Sequence, residues 1–290
     1  VRVLITDATG FVAGHLSREL QDAGHLVAGI DIAENRDGHF GHVRDAAEKH
    51  KAEVLIHLED SSYDSPESHP YGTVGDTAGL TAEVAKMCGD MGVRLVYAST
   101  DEIYGENLGT SVSNEEGPFG LPGSTYALGK LMGESLGLLY APDGLTVLRI
   151  SSSYGPGLTP SKSEILDLLW RAQNGQPMLV RAGHERSWCW VGDLVRAIRI
   201  TMEKGEGVYN VGRDDDMTSE QEVAELACTI TSADKDLIQV SPTPGTVRRV
   251  STQKLQRLGW EPQVSLYEGM EMTLNGWLKN PDPATNVAAP

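Results

Sequence analysis

The sequence predicts an α/β fold: a doubly wound parallel sheet with a smaller mixed α/β domain on its C-terminal side. Three observations predict it. Short apolar runs alternate with helix-period segments through the first half of the chain, the pattern of successive βαβ units. The first of these runs passes through a turn holding Gly10 into a helix start. Hydroxyl and carboxyl side chains gather where a later run ends, at Ser99 to Glu102. The 290 residues accommodate a sheet domain over 1–150 and a companion over 151–280, with segments near 185–212 returning to the sheet and 281–290 as a flexible tail.

The opening strand, Val1 to Ile5, leads into Thr6, Asp7, Ala8, Thr9 and Gly10. A full glycine fingerprint is not met, because Asp7 stands at its first position and Ala13 at its third. The first helix is predicted from Phe11 to Ala23, with Phe11, Val12, Leu16 and Leu20 roughly on one face and Gly24 as its stop. Leu26 to Ile30 is the second strand. Asp31 follows it about twenty residues after the glycine turn, where an acid accepts the ribose hydroxyls of an adenosine. Its charge disfavours a 2'-phosphate, which points to NAD over NADP; a solvated loop acid is the plain alternative. Residues 35–50 are polar, and His39, His42 and His50 lack metal-binding spacing, so they are assigned to the surface. Val54 to Leu58 is the third strand, ending beside Glu59 and Asp60, and a loop spans Ser61 to Pro70. A helix over about Val74 to Met91 precedes the fourth strand, Val93 to Ala98.

The richest chemistry follows that strand. Ser99, Thr100, Asp101 and Glu102 fall at its C-terminal end, the functional edge of such a sheet. Tyr126 and Lys130 are four apart in a predicted helix and share a face. A phenol must lose its proton to act as a base, and a neighbouring ammonium stabilises the phenolate. Alone, such a pair is an ordinary helix-surface feature; downstream of a strand-end Ser-Thr it is far more specific. Thr146 to Ile150 is the fifth strand, Leu166 to Ala172 is helical, and Met178 to Arg181 is a short strand. Ser219 and Glu222 have capping-box spacing and open a helix to about Ile230; Gly269 to Leu278 is the last helix.

Composition narrows the class. A formal charge of −17 argues against a nucleic-acid surface. Cys88, Cys189 and Cys228 are scattered and form neither a disulfide framework nor a metal set. With no apolar run long enough to span a membrane and no secretory leader, a cytoplasmic protein with no membrane partner is expected.

With these motifs in place, the chain resembles the extended short-chain dehydrogenase/reductase family, in particular its NAD-dependent nucleotide-sugar epimerases and dehydratases. Further marks are Arg149 to Gly157, Trp188 to Ala197, Asn210 to Gly212, and Leu258 to Pro262. The resemblance implies a Rossmann-type sheet, NAD as cofactor and a nucleotide-diphosphate sugar as substrate. It places Thr6, Gly10, Phe11, Val12, Asp31, Leu58, Ser99, Tyr126 and Lys130 on the cofactor. It assigns catalysis to Thr100, Tyr126 and Lys130, with Asp101 and Glu102 matching the acid and base of the 4,6-dehydratases. Thr100, Ser152, Arg186 and one of Arg248 or Arg249, taken as Arg249, fall on substrate positions. A homodimer through helices at 77–91 and 124–140 is also implied.

The activity expected first is epimerisation through a transient keto-sugar, because the interval from Thr100 to Tyr126 is compact. A 4,6-dehydratase using Asp101 and Glu102 is the alternative. Several residues depart from the family pattern: Asp7, Glu59 and Asp60 beside the cofactor, Ser152 and Thr73 at asparagine positions, and Asp76 for a glycine before Thr77. Acids beside a diphosphate weaken its binding, so a catalytically impaired Rossmann-like binding protein is the third reading.

Overall fold

The computed structural model describes residues 1–32, 41–58, 70–105, 112–214 and 218–281. Strands and helices alternate through the first half: β1 (Arg2–Thr6), α1 (Phe11–Asp22), β2 (Leu26–Ile30), α2 (Gly41–His50), β3 (Val54–His57), α3 (Pro70–Met91), β4 (Arg94–Thr100), α4 (Thr125–Tyr140) and β5 (Thr146–Ile150). The second half continues with β6 (Ser152–Tyr154), α5 (Glu164–Gln173), β7 (Met178–Ala182), β8 (Glu185–Arg186), β9 (Trp188–Trp190), α6 (Val191–Lys204) and β10 (Gly207–Val211). It closes with β11 (Thr218–Ser219), α7 (Glu220–Thr231), β12 (Ile238–Pro244), β13 (Val247–Arg248), α8 (Gln253–Gln256) and α9 (Leu266–Lys279).

The main sheet runs β10-β5-β4-β3-β1-β2 and is parallel throughout. The chain steps from β1 to β2 on one side and then back across to β3 on the other. That reversal opens a crevice beyond the C-terminal ends of β1 and β3, the place such sheets reserve for ligands.

Period-two alternation in the strands feeds two cores. Val3 and Ile5 point into the layer of α1 and α6, with Leu16, Leu20, Leu194 and Ile198; Leu4 points into the opposite layer with Val43, Val84, Cys88 and Leu95. Each such fully buried aliphatic side chain contributes about 1.5–3 kcal/mol. A third core joins α5, α7 and α9 over β7, around Leu169, Met178, Val223 and Met270. The second half therefore divides its elements. α6 and β10 return to the sheet, whereas β7, β8 and β11 to β13 build small sheets beside it.

The structure departs from the sequence reading at several elements. Residues 41–50, assigned to a polar surface, form α2, because Val43 and Ala47 stand one turn apart and are both buried. Its other faces are polar enough to hide that stripe. The third strand stops at His57, one residue before Leu58, and β4 continues two residues past Ala98, to Thr100. α3 starts at Pro70, where a loop was expected to run to that residue. Both Ser219–Glu222 and Ser265–Glu268 form complete capping boxes, at the starts of α7 and α9. The three cysteines are all buried. No helix among the described residues is long and apolar enough to cross a membrane, and no metal-binding cluster occurs among them. Glu59, Asp60, His39, most of the predicted 61–70 loop and residues 282–290 lie outside the described residues.

Candidate active site

The turn between β1 and α1 keeps a glycine-like path without the glycine. Asp7 has φ 57°, a left-handed conformation that aspartate tolerates better than most side chains do. Gly10 is the N-cap of α1, and its N–H donates to the Asp7 carbonyl at 2.8 Å. A Cβ at Gly10 would collide with the Asp7 carboxylate, which occupies that space. Glycine is therefore required at 10 by a side chain of the turn itself. At Gly14, by contrast, a Cβ would meet nothing within 4 Å, so that glycine does not replace a missing one. Asp31 accepts from the Thr9 N–H at 3.0 Å and the Thr9 hydroxyl at 3.2 Å, which ties the end of β2 to the turn.

The ends of β4 and α4 bring the proton-handling groups together. Ser124 caps α4 by accepting from the Ala127 N–H at 3.1 Å, and its hydroxyl donates to Glu102 at 3.2 Å. Thr100 accepts from the Glu102 N–H at 3.3 Å, opening a short 3-10 turn over Asp101–Tyr104. Lys130 is 1% exposed; its Nζ donates to the Ala98 carbonyl at 2.7 Å and lies 5.8 Å from the Tyr126 ring centre. Beneath this surface, Ser99 donates to Glu134 at 2.6 Å, and Glu134 pairs with Arg149 at 2.8 Å.

A cavity of about 260 Å³ lies over these ends. Of the residues predicted from sequence, Val12, Leu58, Ser99, Thr100, Asp101, Glu102, Tyr126, Lys130 and Ser152 line it, together with Asp7. Thr6, Gly10, Phe11 and Asp31 are not on its wall. Thr6 is fully buried, accepting from the Leu58 N–H at 3.0 Å and pairing with His57 Nδ1 at 2.9 Å. Phe11 packs edge-on against His15 beside the core.

The two acids share one cation. Arg248 reaches Asp101 at 3.2 Å and Glu102 at 3.3 Å. Asp101 is 4% exposed, and burial pushes its carboxyl above the ordinary range against the pull of Arg248. Arg186 donates to the Ser152 hydroxyl at 3.3 Å and pairs with Glu164 at 3.0 Å. Glu164 is itself raised to about 7, chiefly by burial. Arg249 goes elsewhere: it pairs with Glu185 at 2.7 Å and lines a separate cavity of about 530 Å³. Arg248 closes β13 and Arg249 lies just past it, and the two reach different partners; sequence carries no signal for which of them faces the acids. Glu134 was missed although it stands one helical turn beyond Lys130 on the same face, a spacing that would have found it.

Fold and site together define an α/β protein with a phenol, an ammonium, a hydroxyl and two carboxyls converging at the C-terminal edge of a parallel sheet. Residues 3–212 match the NAD dependent epimerase/dehydratase family, and the chain belongs to it. Among curated relatives, it is 30% identical over 237 residues to a trifunctional UDP-glucose 4,6-dehydratase/UDP-4-keto-6-deoxy-D-glucose 3,5-epimerase/UDP-4-keto-L-rhamnose-reductase of Arabidopsis thaliana. That match takes in 77% of this chain and 34% of the relative, so the chain spans about a third of that protein's length. It is also 27% identical over 302 residues to UDP-glucuronic acid decarboxylase 6 of Arabidopsis thaliana, across 94% of this chain and 87% of the other. Its fold matches a Thermus thermophilus UDP-glucose 4-epimerase solved with NAD, at TM-score 0.84 and 24% identity, over 97% of this chain and all of the other.

Proposed function

We propose that the protein acts on a nucleotide-diphosphate hexose with bound NAD, oxidising a ring hydroxyl to a keto-sugar and then eliminating water, as a 4,6-dehydratase does. One observation carries the choice of outcome: Asp101 is a buried carboxyl on the cavity wall, held towards its protonated form by burial. A protonated acid beside a departing hydroxyl is what water loss requires and what epimerisation does not. The dehydratase reading thus moves ahead of the epimerase expected first from sequence. A dehydratase activity is also named for the Arabidopsis thaliana relative.

The residues present fit NAD. The buried Lys130 ammonium and Tyr126 share a wall with apolar Val12, Leu58, Ala98, Ile150 and Leu194, and the Asp31 carboxylate is braced on Thr9 at the end of β2. When bound, NAD supplies a hydride acceptor that returns the hydride within the same turnover. Tyr126, as phenolate, takes the proton of the sugar hydroxyl, and the Lys130 ammonium stabilises that phenolate and holds the cofactor ribose. Thr100 donates to the oxygen that becomes the ketone. The ketone acidifies the adjacent C–H; Glu102 takes that proton while Asp101 gives its own to the leaving hydroxyl, which departs as water. Arg186, with Ser152, holds the substrate diphosphate.

A second reading is epimerisation, favoured by the bridge of Arg248 to both acids: if it persists with substrate bound, the acids remain paired and the ketone is simply reduced from its other face. Incubation with a panel of nucleotide-diphosphate hexoses and mass spectrometry of the products decides. A product lighter by one water supports dehydration; an isomer of unchanged mass overturns it in favour of epimerisation. Asp101→Asn should suppress water loss while leaving hydride exchange at the ring carbon. Homodimerisation through α3 and α4 also belongs to this reading, supported by the exposed Leu128, Met132, Leu138 and Leu139 on α4.

A further inference from the structure

We infer that Glu164 is a positioning residue for substrate binding: it holds Arg186 as an internal counter-ion until the substrate diphosphate takes that guanidinium, and it gains a proton as it is displaced. The inference rests on the reading above that Arg186 holds the diphosphate. Glu164 is the first residue of α5, and its Oε2 lies 3.0 Å from Arg186 Nη1. The same Nη1 donates to the Ser152 hydroxyl at 3.3 Å, and Ser152 lines the cavity that holds Tyr126 and Lys130. The guanidinium thus stands between an internal acid and the ligand space. Its central carbon lies 5.2 Å from the centre of the Trp188 ring, which gives it a fixed platform there.

Arg186 is the main support for the Glu164 charge. Glu164 Oε1 is buried without a hydrogen-bond partner among the described residues, and Arg181 Nη2 is 3.9 Å away. The Glu220 carboxyl stands beside it and is already served by Arg181, whose N–H donates to it at 2.7 Å and whose Nε donates at 3.2 Å. Burial raises Glu164 to about 7 against the pull of Arg186, and the Glu220 charge adds to the rise. Once a diphosphate engages Arg186, the Glu164 carboxylate is left between that anion and Glu220, and its protonated form is favoured. The Glu164 side chain is 28% exposed, so the proton comes from solvent. On Oε1 it supplies the missing hydrogen bond, donated to Glu220. His184 also packs against Arg186; burial and then the Arg186 charge push it down to about 4, so it stays neutral where Glu164 titrates. Arg248 on β13 and Asp101 past the end of β4 act on Arg186 as well.

Calorimetric titration of UDP-glucose and of dTDP-glucose into the full chain tests this, in a Tyr126→Phe background that binds the sugar without turning it over. Neither ligand carries a phosphate that titrates near neutrality. In two buffers of different ionisation enthalpy at about pH 7.5, binding should take up a net fraction of a proton, and adding Glu164→Gln should remove that uptake. The protonated form, which leaves Arg186 to the ligand, is lost as pH rises through about 7. Affinity in the background should therefore match that of Glu164→Gln at about pH 6 and be about tenfold weaker at about pH 8. A Glu164 that only supports the fold would lower the melting temperature in Glu164→Gln without moving this profile. Absence of proton uptake, or a pH profile that Glu164→Gln leaves unchanged, overturns the inference. Arg186→Gln then shows what else falls: weaker binding at every pH keeps Arg186 on the diphosphate, and unchanged binding removes it. If neither nucleotide sugar binds any folded variant, the substrate reading fails and this inference with it.

Discussion

Replacing Glu134 by Gln should destabilise the protein by about 3–5 kcal/mol, the range for breaking one side of a buried ion pair. The structure places this pair well inside that class. The Glu134 and Arg149 side chains are 6% and 3% exposed. Glu134 accepts from Arg149 Nη2 at 2.8 Å, from Arg149 Nε at 3.1 Å and from the Ser99 hydroxyl at 2.6 Å. On the other side Arg149 donates to the Tyr104 hydroxyl at 2.7 Å, which in turn donates to Asn210 at 2.8 Å. Glutamine is nearly isosteric, so what it removes is the charge that balances the buried guanidinium. In a chain of this size each kcal/mol moves the melting temperature by about 2–4 °C, so a fall of roughly 6–20 °C is expected. Scanning calorimetry and urea unfolding measure it. The double variant Glu134→Leu with Arg149→Met, which removes both charges, should recover part of the loss. A loss below about 1 kcal/mol in Glu134→Gln would refute the reasoning, since the pair would then behave as a solvated surface bridge.

Tyr126→Phe should lower turnover by about a hundredfold or more while leaving the melting temperature within about 2 °C, because only the half-buried phenol hydroxyl is lost; activity retained above about a tenth of the parent's would remove Tyr126 from the mechanism. His57 is fully buried, and burial, with the Lys130 charge adding, pushes it down from 6.5 to about 3. The unfolded chain therefore takes this proton first, so stability from His57 is complete above about pH 6.5 and is lost as pH falls towards 3. Unfolding free energy should fall in that window by roughly 1.4 kcal/mol per pH unit from this group, and His57→Gln should flatten the slope; identical slopes would show that another group governs it. Leu139→Lys places a charge on the exposed apolar face of α4. It should shift light-scattering mass from dimer to monomer, and a parent that is already monomeric at micromolar concentration disproves the interface.

The fold was legible because strand and helix periods are strong signals wherever a segment has one wet face or none. β5 was bounded correctly from Thr146 to Ile150, and the helix opened by Ser219 began at the capping box that the sequence shows. α2 was not legible, since a helix that buries only Val43 and Ala47 as fully covered positions looks like polar loop to a periodicity argument. The site was legible in part for a related reason. Thr100, Tyr126 and Lys130 follow from strand ends and helix faces, which are local properties of the chain. The contact of Arg248 with Asp101 joins residues 147 apart, and which of two neighbouring arginines makes it depends on how β13 lies against β8.

Asp7 shows how a departure in sequence and a departure in shape differ. In sequence, an acid at the first fingerprint position looks like a lost cofactor turn. In the structure the backbone keeps the positive φ that a glycine would supply, Gly10 stays where its missing Cβ is needed, and α1 begins at Phe11 as the hydrophobic pattern requires. The turn is preserved and only its charge has changed. An altered backbone would abolish dinucleotide binding outright, whereas an added carboxylate makes binding sensitive to salt and to a single substitution. A salt dependence of NAD affinity that is steeper in the parent than in Asp7→Gly separates these two accounts.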